Sequence, residues 1–67
     1  MNDMQMKGKW NQLKGYVQKK WGKLTNDDMD QIQGNKDMLV GKLQDRYGYT
    51  KAQAEAEVND FMNQSNF

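Results

Sequence analysis

The sequence predicts an all-α fold of four helices, arranged as two αα-hairpins packed crosswise. Three observations lead there. Apolar residues recur at helical spacing, six glycines fall in two blocks at intervals of seven, and each block ends in a turn followed by a threonine-led helix start. No proline interrupts any of these segments.

The first helix is expected over residues 4–21. Met6, Trp10, Leu13, Val17 and Trp21 fall on one arc of roughly 80°. Gly8, Gly15 and Gly22 cluster about 160° away, opposite that stripe. Gly22 follows the last periodic residue and is expected to be the C′ position of a left-handed or Schellman cap. Thr25-Asn26-Asp27-Asp28 then reads as a capping-box start. It opens a short helix over 26–33, with Met29 and Ile32 facing inward.

The pattern then repeats in the stretch GNKDMLVGKLQDRYG, residues 34–48. Aligned on Gly34, Gly41 and Gly48, Leu39 matches Leu13, Leu43 matches Val17, Gln44 matches Gln18, Arg46 matches Lys20 and Tyr47 matches Trp21. Leu39, Val40, Leu43 and Tyr47 share one face of this third helix, again opposite its glycines. Thr50-Lys51-Ala52-Gln53 starts the fourth, over 51–63, with Ala54, Val58, Phe61 and Met62 inward. Loops of this shortness favour helical hairpins. The core expected from all four is Trp10, Leu13, Val17, Trp21, Leu24, Met29, Ile32, Leu39, Leu43, Tyr47, Val58 and Phe61. The chain is expected to be one domain, 1–67, ordered over about 5–63 with frayed ends MNDMQ and NQSNF.

Composition excludes much chemistry. There is no cysteine and no histidine, so thiol chemistry, zinc ligation by sulfur or imidazole, and the commonest general base are all absent. The one serine, Ser65, lies in a tail, and the histidine that a nucleophilic site usually needs beside it is missing from the chain. Asp28-x-Asp30 begins like a calcium loop, but Ile32 holds the next ligand position. Asp27, Asp28 and Asp30 instead suit the first turn of a helix, where the macrodipole favours carboxylates. The reading is that no enzyme, metal site or cofactor site is present. The longest apolar run is Met38-Leu39-Val40, against the roughly 20 residues of a membrane span or the roughly 7–15 of a signal peptide. A cytoplasmic location away from membranes is therefore expected.

Charge is unevenly placed. Residues 1–24 hold six lysines against Asp3, whereas residues 25–67 hold four basic and eight acidic side chains. Attraction between the two parts within one fold is the favoured expectation; two faces for two partners is the other. Trp10 and Trp21 belong to the core stripe, and Lys14 and Lys20 border it, where lysine stems cover aromatic edges. On the polar side Lys9, Tyr16, Lys19 and Lys23 form the candidate contact surface.

The run WGKLTNDD, then Gly34, then LVGKLQDRYGY, then AEAEV resembles the CsbD-like family of small bacterial stress proteins. The likeness extends from about Gly8 to Phe61. Its pieces Trp10-Asn11-Gln12-Leu13-Lys14-Gly15, Trp21-Gly22-Lys23-Leu24-Thr25 and Tyr47-Gly48-Tyr49 are specific in combination. Asn26 stands where relatives tend to carry an acid, and Phe61 where a tryptophan is common. The resemblance implies a product of the general stress response with two crossed helical hairpins, similar to SAM-like domains. It carries no active residues over.

Asn and Gln make up about a fifth of the chain, and the mean hydropathy is −1.18. That composition is similar to the hydrophilins, proteins linked to water stress. The expected function is a monomeric, non-enzymatic domain acting on an unidentified macromolecule, a protein in the first place. Weak nonspecific nucleic-acid contact through the lysines of the first helix is the alternative. The glycines opposite the core would make the fold marginal, able to loosen onto other surfaces.

Overall fold

A computed structural model describes residues 3–64, with side chains from Met6 onward. Among these residues the fold is all-α, with five helices rather than four: α1 Asp3–Gly8, α2 Trp10–Lys20, α3 Asn26–Ile32, α4 Lys36–Tyr47 and α5 Lys51–Gln64. Of the tails expected to fray, 3–5 fall in α1 and 63–64 in α5, and the remainder lies outside the described residues.

The extra boundary divides the long first helix at Lys9, whose backbone leaves the helical region at φ −111°, ψ 12°. Gly8, a weak helix former, sits at this joint. A tertiary contact of α1 lies beside this joint. Gly34, in the turn between α3 and α4, has φ +82°, and a Cβ there would lie 2.6 Å from Lys7 Cα. Backbone thus packs on backbone, and α1 is laid across that turn.

Gly34 is accordingly no part of a helix. α3 ends in a left-handed Gln33, φ 44°, and α4 is capped by Asn35, whose side chain accepts the Met38 N–H at 3.0 Å. The expectation for Gly22 also fails, because the C-cap of α2 is Trp21 at φ −116° and Gly22 does not take positive φ. The left-handed glycine cap belongs to Gly48, φ 71°, at the end of α4. The Trp21 N–H instead closes α2 onto the Val17 carbonyl at 2.9 Å.

Both capping boxes form as read from sequence. Thr25 Oγ1 accepts the Asp28 N–H at 3.1 Å while Asp28 Oδ2 accepts the Thr25 N–H at 2.9 Å. Thr50 and Gln53 make the same reciprocal pair at 3.1 and 2.9 Å.

Every residue of the expected core is buried except Tyr47, which packs half-buried against its edge; Met6, Val40, Ala54 and Met62 complete the cluster. The closest helix pair is α4 with α5, joined also by Lys36 Nζ donating to Asn59 Oδ1 at 2.8 Å. The Trp21 and Phe61 rings meet at 5.3 Å, tilted by 57°, so the end of α2 seats against α5. The Cα radius of gyration is 10.6 Å, close to the roughly 11 Å of a folded chain this long.

Candidate contact surface

Tyr16 and Lys19 lie one turn apart on α2 and face away from Leu13 and Val17, which are buried. Tyr16 is 56% exposed. Lys9 stands exposed at the joint before α2, and Lys23 lies beyond its end in the loop to α3. The helix brings Tyr16 and Lys19 together, but tertiary structure decides the neighbours of Lys23. Its ammonium lies 5.1 Å from the Tyr47 ring centroid, and its backbone N–H donates to the Tyr47 hydroxyl at 3.2 Å. The far side of Tyr47 stacks on Tyr49, centroids 5.3 Å apart and planes within 10°. Lys20 extends the same series, its ammonium 5.6 Å from the Trp21 ring. Lys20 and Lys23 thus each lie over a ring, the buried Trp21 and the half-buried Tyr47.

Tyr47 and Tyr49 pack half-buried at the edge of the core, and neither belongs to the candidate surface read from sequence. Tyr47 was assigned to the core by its position on the α4 stripe, and Tyr49 follows the helix, beyond reach of periodicity. The signal that could have found them is Tyr-Gly-Tyr at a helix end, where a left-handed glycine folds the following residue back.

A second feature lies between α2 and α3. Two open depressions of about 320 and 410 Å³ share Asn11, Lys14, Met29 and Asp30. Gln18 bridges the helices here, donating to Asn26 Oδ1 at 2.9 Å and more weakly to the Leu24 carbonyl at 3.4 Å. Gly8 and Gly15 line the α1–α2 side, and no atom lies within 4 Å of where their Cβ would stand.

Among the described residues, two ion pairs lie within the acidic part of the chain, Arg46 and Lys42 with Asp28, at 2.9 and 3.6 Å. Asp28 is 1% exposed. The Arg46 guanidinium, and after it the Thr25 N–H, hold its carboxyl well below the usual carboxylate range, against the opposing effect of burial. The same hydrogen bond raises Arg46 above its ordinary value. Lys14, Lys19, Lys20 and Lys23 take no part in these pairs. The surface thus offers ammonium groups, phenols and carboxamides, which suit contact and hydrogen bonding.

The characteristic pattern of the CsbD-like family matches residues 4–56, most of the chain. The chain belongs to the CsbD-like family. It is similar to UPF0337 protein YjbJ of Salmonella typhimurium, 52% identical over 67 residues that cover 100% of this chain and 96% of that one. With YjbJ of Escherichia coli K12 it shares 57% identity over 61 residues, 91% of this chain and 88% of the other. A UPF0337 protein of Pseudomonas aeruginosa is 52% identical over 61 residues, covering 91% and 94%. The matched span of this CsbD-like chain includes Lys9, Tyr16, Lys19, Lys23, Tyr47 and Tyr49. No helix among the described residues is long and apolar enough to cross a membrane.

Proposed function

We propose that this CsbD-like domain is a non-enzymatic, cytoplasmic, monomeric protein of the stress response that acts by contact. In this reading it protects other macromolecules, proteins first, when water is scarce, as hydrophilins do. Its frame is a pair of crossed hairpins similar to SAM-like domains, α1 to α3 in one and α4 with α5 in the other.

The observation that supports this reading is the open space around the mid-helix glycines. Gly15 and Gly41 each have nothing within 4 Å of a would-be Cβ, so they weaken α2 and α4 without serving the packing. A chain this polar that also gives up helix stability is suited to loosening and spreading over other surfaces. The family's association with stress supplies the circumstance.

The test is to dry a labile enzyme with the wild-type domain, with the double variant Gly15→Ala and Gly41→Ala, or with an equal mass of an unrelated small folded protein. Wild type is expected to preserve most activity and the stiffened variant less. Protection no better than the unrelated protein overturns the reading. Equal protection by the two forms removes loosening as its mechanism.

A further inference from the structure

We infer that the strip formed by Tyr16, Lys19, Lys20, Lys23, Tyr47 and Tyr49 is a binding surface for single-stranded nucleic acid. The inference stands apart from protection of proteins and rests on different observations. Chains with a charged backbone and flat bases are held by two elements together, cations along the phosphates and aromatic faces for the bases. This surface holds both, with Tyr16, Lys19 and Lys20 on α2 and Lys23, Tyr47 and Tyr49 brought together by the tertiary structure, where Tyr47 lies against Lys23 and Tyr49. Lys23, in the loop after α2, is joined to Tyr47, at the end of α4, by a backbone hydrogen bond of 3.2 Å and a cation–ring contact of 5.1 Å. Stacking of Tyr47 on Tyr49 then carries the aromatic surface onward from Lys23.

Charge complementarity selects the occupant. Between residues 4 and 25 there is no acidic side chain. Among the described carboxylates, Asp28 pairs with Arg46 and Glu57 accepts the Trp21 indole N–H at 3.3 Å. Lys19, Lys20 and Lys23 have no carboxylate partner within ion-pair distance among the described residues, and the Lys20 and Lys23 ammonium groups lie over the Trp21 and Tyr47 rings. Tyr16, more than half exposed, gives a ring at the α2 end of the strip. A polyanion without bases would satisfy the lysines but leave the exposed Tyr16 ring unused, whereas a single strand supplies phosphates and flat bases together. The absence of arginine along α2 fits recognition without base reading.

The experiment is fluorescence anisotropy of a labelled short mixed-sequence single strand, titrated with the full chain at two salt concentrations. Inorganic polyphosphate of matched charge and an acidic polypeptide serve as competitors. Three neutralised phosphates predict that raising salt from about 50 to about 200 mM weakens binding about 20-fold. Lys19→Gln, at an exposed position outside the core, is expected to weaken binding and flatten the salt slope by about 0.7. Tyr16→Ala and Tyr49→Ala are each expected to weaken the strand about fivefold or more while leaving polyphosphate affinity unchanged. Circular dichroism confirms that each variant is folded. No anisotropy change at low salt overturns the inference, as does full affinity in Lys19→Gln. Equal loss of strand and polyphosphate binding in the tyrosine variants, or displacement by the acidic polypeptide at matched charge, overturns it in favour of bare electrostatic or protein contact.

Discussion

Arg46 grips Asp28 with both arms of its guanidinium, Nε donating to Oδ2 at 2.9 Å and Nη2 to Oδ1 at 3.0 Å. The same carboxylate accepts the Thr25 N–H and so closes the capping box of α3. One buried side chain therefore starts α3 and fastens it to α4, with Lys42 at 3.6 Å as a further cation. Nearly all of its acceptor capacity is used, which is why a carboxylate 1% exposed is tolerated. Arg46 keeps 43% of its side chain in solvent, so the pair is buried from one side.

Replacing Asp28 by Ala is expected to lower stability by about 2–4 kcal/mol, through loss of the cap and of the charge-assisted bonds together. For a domain this small that is a large part of the total. Urea unfolding followed by far-ultraviolet circular dichroism measures it. A loss below about 0.5 kcal/mol would assign the pair no structural weight.

The pH dependence follows from the same residue. Asp28 in the folded state protonates well below its unfolded value of about 4. Between those two values the unfolded chain binds more protons than the folded one, so stability falls as pH falls. The contribution is complete above the unfolded value and is lost as pH drops through the folded one. Urea midpoints measured from neutral pH into the acid range are expected to decline below about pH 4. Asp28→Asn is expected to flatten that decline.

The glycines separate into opposite outcomes. Gly15→Ala and Gly41→Ala, each entering open space in a helix, are expected to stabilise the fold by about 0.5–1 kcal/mol. Gly34→Ala is expected to destabilise it by more than about 1 kcal/mol, because positive φ and the Lys7 backbone at 2.6 Å both oppose a side chain. Thermal unfolding of the three single variants tests the set. Stabilisation at Gly34 would contradict the packing of α1 on that turn.

Thr50 gives a cap without the Asp28 network behind it. Thr50→Ala removes the hydroxyl that accepts the Gln53 N–H and is expected to cost about 1 kcal/mol. Hydrogen exchange is expected to rise first at the amides of the opening turn of α5. Unchanged exchange there would mean that the box does not hold the helix start.

The helical elements, both threonine boxes and the buried stripe were legible in the chain because each depends on residues three or four apart. Leu13 and Val17, Leu39 and Leu43, and Thr25 with Asp28 meet within a turn or two, whatever the rest of the fold does. Tyr16 and Lys19 of the candidate surface were legible for the same reason. The seven-residue glycine interval was visible but not its meaning. Only Gly15 and Gly41 are equivalent, both open mid-helix positions, whereas Gly34 forms a turn against Lys7 and Gly48 forms a cap that Gly22 does not.

The sequence by itself therefore determined the helical class, most helix limits, the two threonine caps and nearly all of the core, since backbone propensity and amphipathic spacing act locally. Tertiary structure alone decided where the first helix breaks, which acid meets Arg46, and that Lys23 covers Tyr47 while Tyr49 stacks beneath it. Asp28 with Arg46 and Lys23 with Tyr47 join residues 18 and 24 positions apart, the contact of α1 is backbone on backbone, and the Tyr47–Tyr49 stack turns on the left-handed Gly48 between them. Their partners are selected by how packed helices meet in space, and periodicity along the chain carries no record of that choice.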